Sequence, residues 1–169
     1  MEGEAVTQVV TLKVLGSDPV YLGTSQELRA YLAEIFDEDK KAGCANRDFQ
    51  VVVDGSEETD NVLSVGVDYD SGYGALLWYC TDRIAEQVTA ATRTDMAEYA
   101  WVSWSANPPQ VDPQIVSDPG CPSFFDHVSA IPLREVRSAV EEYYREGSGF
   151  RPTVVQWVKG NFNGELFEE

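Results

Sequence analysis

The sequence predicts an α+β protein: one antiparallel sheet in the order β-α-β-β-β-β-α-β, with two helices packed on one face. Three observations carry that expectation. Two segments repeat apolar residues at helical spacing, several shorter runs have strand character, and the central three of those runs are joined by short polar links of turn chemistry.

The elements follow in order. Val10, Leu12 and Val14 alternate with Thr11 and Lys13, the period of a half-buried strand, and Gly16-Ser17-Asp18-Pro19 ends it. Thr24-Ser25-Gln26-Glu27 has the form of a capping box, and Leu28, Tyr31, Leu32, Ile35 and Phe36 continue it on one helical face. After a charged turn from Asp37 to Lys41 come three strand-like runs, Phe49 to Val53, Val62 to Tyr69 and Ala75 to Cys80. The links Asp54-Gly55-Ser56 and Asp70-Ser71-Gly72 make them an antiparallel meander. Tyr99 to Trp104 predicts a further strand, and 106–130, with Pro108, Pro109, Pro113, Pro119 and Pro122, reads as a long loop. Phe124-Phe125 favour order within it. Pro132 opens a helix striped by Leu133, Val136, Val140 and Tyr143, Gly147 and Gly149 stop it, and Thr153 to Val158 forms the last strand. Leu133, Val136, Val140 and Trp157 are expected in the core.

A chain of 169 residues, 43% hydrophobic, can bury one substantial core, and no linker or repeat divides it. Residues 1–169 therefore read as a single domain. Its 12 Lys+Arg against 29 Asp+Glu leave a net charge of −17. Such a surface repels nucleic acid and anionic membranes and speeds encounter with a basic partner. The acids cluster at Asp37-Glu38-Asp39, Glu57-Glu58 with Asp60, Asp68 with Asp70, and Glu141-Glu142, which favours a directed field. The acidic start, Met1-Glu2-Gly3-Glu4, and the lack of a membrane-length apolar run predict a cytoplasmic protein. Cys44, Cys80 and Cys121 are too widely spaced for a disulfide framework or a zinc knuckle.

Catalytic equipment is not evident. Histidine is the commonest general base, and the single one here, His127, sits in the proline-rich loop. Counted as calcium loops, the turns from Asp54 and Asp68 place Val65 and Tyr79 at the twelfth position, where a bidentate glutamate is needed. Gly72-Tyr73-Gly74 lacks the third glycine of a dinucleotide fingerprint and leads into a strand. The reading is a protein without enzymatic activity, cofactor or metal.

The C-terminal third then forms a unit: Ile131-Pro132-Leu133-Arg134-Glu135-Val136-Arg137, Ala139-Val140, Glu142-Tyr143-Tyr144, Gly147, Arg151-Pro152 and Gln156-Trp157. It resembles the end of a family of immunity proteins from bacterial polymorphic-toxin systems, those that accompany nucleic-acid deaminase toxins. The helix at Ser25 to Phe36 and the strand pair around Asp70 to Leu76 are similar as well. The loop 106–130 and the spacer Gly147-Ser148-Gly149-Phe150 are longer than the family pattern. The resemblance implies a fold and a role in immunity against a cognate toxin; occlusion of the toxin's basic, aromatic-lined active-site cleft is the physical reading of an acidic protein that carries exposed aromatics. The chain is not itself the deaminase: those enzymes need His-x-Glu and Pro-Cys-x-x-Cys, whereas His127 precedes Val128-Ser129 and Cys121 precedes Pro122-Ser123-Phe124.

The expected partner contacts are Asp68 and Asp70 in the acidic turn, Trp104 at the loop's entry, and Phe124, Phe125 and Asp126 within it. Loops carry function and aromatic residues dominate hot spots, although they dominate cores equally. The alternative function is an acidic nucleic-acid mimic that sequesters a DNA-binding protein; a third is an unrecognised enzyme using Asp68 and Asp70.

Overall fold

The capping box forms as written. Glu27 N–H donates to Thr24 Oγ1 at 3.1 Å, while Glu27 Oε2 accepts from the amides of Thr24 at 3.2 Å and Gly23 at 2.7 Å. It opens helix α1, Ser25–Phe36. The computed structural model describes residues 11–15, 18–36, 47–54, 61–81, 100–118, 120 and 123–167. The expected turns at 37–41 and 54–56 fall wholly or largely outside them, as do Tyr99 and the acidic clusters at 37–39 and 57–60.

The strands are β1 (Thr11–Val14), β2 (Val20–Leu22), β3 (Arg47–Asp54), β4 (Asn61–Asp68), β5 (Tyr73–Cys80), β6 (Ala100–Trp104), β7 (Val116–Asp118), β8 (Ser123–Phe124), β9 (Ile131–Pro132) and β10 (Gln156–Gly160). The second helix, α2, spans Leu133–Glu146 and ends on Gly147, whose left-handed backbone lets its N–H reach Tyr143 O. Eight strands form one antiparallel sheet, β10-β6-β5-β4-β3-β1-β2, with β9 also paired to β5. The predicted α+β class and antiparallel meander are therefore observed.

Strand alternation gives the sheet two distinct faces. Leu12, Val51, Leu63, Val65, Leu76 and Trp78 point to one, where Leu28, Leu32 and Ile35 of α1 and Val136, Ala139, Val140 and Tyr143 of α2 cover them. Both helices thus share a face, as expected. On the other face Ala75, Leu77, Ala100 and Val102 pack under Ile115, Phe125 and Ala130 of the 106–130 segment. That segment is a second cover for the sheet.

Several details differ from the sequence reading, among them β9, which pairs with β5 where the sequence shows only the start of a helix. β2 is an added strand of only three residues, Val20 and Tyr21 exposed and Leu22 buried, placed in the sheet by its pairing with β1. The 106–130 segment contains the β7-β8 ribbon and a 3-10 helix, His127–Ser129. The last strand begins at Gln156, because Glu142 on α2 accepts both the amide and, at 2.7 Å, the hydroxyl of Thr153 and holds that residue out of the sheet. Val136 and Val140 are buried as predicted, but Leu133 and Trp157 are only half-buried, one in the first turn of α2 and the other on edge strand β10. The Arg151-Pro152 pair packs there: Arg151 lies 4.2 Å from the Trp101 ring centre, and Pro152 O accepts from the Trp157 indole at 2.7 Å.

Ser103 holds the fork where β6 and β9 share β5. Its hydroxyl donates to Ser129 O at 2.7 Å and accepts from Leu76 N at 3.0 Å, at a position with no exposure. Ser103→Ala leaves a buried donor and a buried acceptor unpaired, and the expected loss of stability is about 2 kcal/mol. Urea unfolding measures it; a loss near zero would mean that neither group depends on the hydroxyl.

Candidate interaction surface

The loop residues singled out from sequence are positioned by β8 and the turn after it. Phe124 pairs with Val116 across the ribbon and is 43% exposed, whereas Phe125 points inward, 4% exposed, over Gly66 of β4. Alternation along a strand forces that split: one phenylalanine faces solvent and the next faces the sheet. Asp126 is exposed and caps the 3-10 helix by accepting from Val128 N at 3.1 Å. The lone histidine, His127, follows it and donates from Nε2 to Pro109 O, which ties the two ends of the loop together.

The turn acids also divide. Asp68 ends β4 opposite Tyr73 and is 6% exposed; Asp70, in the turn, is exposed. Trp104, half-buried, lines a groove of about 480 Å³ with Tyr73, Pro132, Arg134 and Val154 at the end of the sheet where β6 stops and α2 starts. Asp70, Phe124 and Asp126 therefore offer exposed side chains and Trp104 offers part of one. Asp68 and Phe125 are buried and offer no exposed side chain. Similarly, Glu142 faces inward to Thr153, while its neighbour Glu141 pairs with Arg137 at 3.1 Å on the surface. Not every carboxylate of the acidic clusters contributes to an outward field.

A second groove, of about 260 Å³, was not anticipated. It lies on the sheet face away from the helices, floored by Gln50 of β3 and Ser64 and Gly66 of β4, with a 3.0 Å bond from Gln50 Nε2 to Ser64 Oγ. Asp48 borders it from β3 and Asp118 from β7. Phe162 forms a further wall, 67% exposed and edge-on to Tyr79 at 5.3 Å between ring centres. The alternation Asp48, Gln50 on β3 marks a polar outer face in sequence; nothing in the sequence brings the tail residue Phe162 to it.

The tail is fixed by its own turn. Asn161 N–H donates to Glu165 O at 2.8 Å, and Ser117 on β7 donates its hydroxyl to Asn163 O. Gly164, at φ +85°, fits where a Cβ would come within 2.7 Å of the Ser117 Cβ and 3.0 Å of the Phe125 ring. Ribbon and tail are thereby held as one surface.

Among the described residues no group of three or more His, Cys, Asp or Glu could hold a metal ion, and no helix is long and apolar enough to cross a membrane. The ribbon presents Phe124 to solvent, with Asp126 exposed just after it, and buried Phe125 braces it from beneath.

No curated protein and no solved structure matches the chain. A family model described as immunity protein Imm1 matches residues 16–159, which include both helices and most of the sheet. That span is well over half of the 169 residues, and the chain belongs to the Imm1 family of immunity proteins, whose role is protection against a toxin.

Proposed function

We propose that the chain acts in the cytoplasm by binding a cognate nucleic-acid deaminase toxin stoichiometrically and occluding its active-site cleft, without catalysis, metal or cofactor. The observation that carries this reading is the exposed Phe124 on a braced ribbon of a protein with net charge −17, in an immunity family. A nucleic-acid-modifying enzyme presents a basic cleft that stacks bases on aromatic side chains. An acidic surface carrying Phe124, Trp104, Asp70 and Asp126 is complementary to such a cleft and excludes its substrate. Charge sets the association rate, and the aromatic anchors set dissociation.

Co-expression tests it. Cells carrying the toxin encoded beside this gene survive with the wild-type chain and die without it, and the purified pair forms a one-to-one complex. Asp70→Lys slows association and weakens its salt dependence, whereas Phe124→Ala raises the dissociation rate at a cost of about 2 kcal/mol. Death in both cases, with no complex at micromolar concentration, overturns the reading in favour of the acidic nucleic-acid mimic.

A further inference from the structure

We propose that Arg151 and Trp101 form a receptor for a single carboxylate, supplied in the complex by an acidic side chain of the toxin. The source of the carboxylate rests on the partner-binding reading above, and the receptor rests on this chain's own geometry. The site lies on the helix-bearing face of the sheet, beside edge strand β10. Trp101 of β6 is 9% exposed and belongs to the core under the helices. The Arg151 guanidinium lies 4.2 Å from its ring centre and 6.0 Å from that of Trp157, and Lys159 brings a second cation to 5.8 Å from the Trp101 ring centre. Two donors in this cluster, Trp101 Nε1 and Arg151 Nη1, are buried without a hydrogen-bond partner.

A buried donor left unpaired is destabilising, the more so when it carries charge. Other arginines of this acidic chain sit beside glutamates: Arg47 with Glu34, Arg137 with Glu141 and Arg145 with Glu146. Burial lowers the Arg151 pKa, the direction that a neighbouring carboxylate would reverse. A water molecule would satisfy the two donors and leave the charge uncompensated, whereas a carboxylate does both. Stacking on the indoles fixes the guanidinium plane and favours a planar acceptor that meets its edge. Arg151 is only half-buried, so an acceptor has an approach from its open side. The net charge of −17 repels a phosphate-bearing polymer but not one carboxylate carried on a basic protein surface. Such a contact also selects: an acidic field attracts any basic surface, and a contact of reversed sign is matched only by a partner with an acid at that point.

The test uses the full-length chain and follows the indole N–H resonances of its 4 tryptophans during titration with sodium acetate at constant ionic strength. Trp78 and Trp157 already donate to Gly149 O and Pro152 O. The Trp101 signal, assigned with Trp101→Phe, is therefore expected to move downfield saturably while those two stay in place, and phosphate is expected to move it less. The second probe is the neighbouring toxin's C-terminal domain. Arg151→Lys keeps a cation over the ring but loses the fork, and is expected to weaken acetate and toxin each about tenfold, with the Trp78 resonance unchanged as the sign of an intact fold. Arg145→Lys, at an exposed pair on α2, is the control and is expected to change either by less than about twofold.

No saturable acetate shift at Trp101, or a drift shared by all the indoles, overturns the receptor, and a stronger response to phosphate than to acetate overturns the carboxylate assignment. Tight toxin binding that Arg151→Lys leaves unaffected overturns the contact while the immunity reading stands. If the wild type binds no toxin but acetate moves Trp101 and Arg151→Lys abolishes that response, the receptor stands and the toxin-occlusion reading fails.

Discussion

Replacing Trp78 by alanine is expected to lower the unfolding free energy by about 4 kcal/mol, a large share of the 5–15 kcal/mol typical of a domain. Trp78 on β5 has no exposure, and its indole N–H donates to Gly149 O at 3.1 Å. Gly149 itself sits at φ +77°, where a Cβ would approach Asn61 Cγ to 2.9 Å. Asn61, 3% exposed, accepts from Val53 N at 2.9 Å and from the Tyr143 hydroxyl. Burial pushes the Tyr143 phenol far above its usual pKa, so it stays protonated as the donor. One side chain thus supports β5 and the loop after α2, which in turn presses on β4.

Truncation opens a cavity and leaves the Gly149 carbonyl without its donor. Trp78→Phe separates the two: it retains much of the volume and loses the hydrogen bond, with an expected cost of about 2 kcal/mol. Urea unfolding with an unchanged m-value is the measurement. A loss below about 1 kcal/mol for the alanine variant would show that the loop and helix close over the gap.

The parts of this fold that local chemistry dictates are legible in the sequence. Thr24 and Glu27 satisfy helix-end amides whatever lies around them, and Val136, Val140 and Tyr143 fall on one side of α2 by spacing alone. The meander is legible for the same reason, since its strands carry their own apolar runs. What is not legible depends on distant partners. Thr153 looks like the start of a strand until Glu142 claims both its donors, and Val20 to Leu22 joins the sheet only because Leu12 to Val14 lies opposite.

The interaction surface divides in the same way. Phe124 and Phe125 are adjacent and chemically identical, and only the ribbon's pairing with Val116 decides which is exposed. Asp68 reads as a surface acid beside Asp70 but lies 6% exposed at the end of β4, paired with Tyr73 of β5. Composition predicts an acidic, aromatic-bearing surface; packing selects its members.

Gly66→Ala is expected to cost the protein its partner while leaving the helical core folded. Gly66 lies on β4, on the face away from the helices, and a Cβ there would stand 2.8 Å from Ile115 Cγ2, 3.1 Å from Val116 O and 3.4 Å from the Phe125 ring. The first two distances are too short to be absorbed without movement, and the carbonyl belongs to the backbone of the ribbon itself. The sheet cannot yield, because Leu63, Val65 and Val67 on the same strand are packed under α1 and α2. The ribbon must therefore lift, at an overpacking cost of about 2 kcal/mol. Lifting it displaces Phe124 and Asp126 together and widens the groove at Asp118. If those residues form the toxin contact, affinity falls at least about tenfold, mostly through faster dissociation. Far-UV circular dichroism should stay unchanged, since both helices lie on the opposite face. Gly23→Ala is the control: its Cβ meets only ordinary contacts at 3.7 Å, and affinity should not move. A Gly66→Ala protein that binds the toxin as tightly as wild type would exclude the ribbon from the interface.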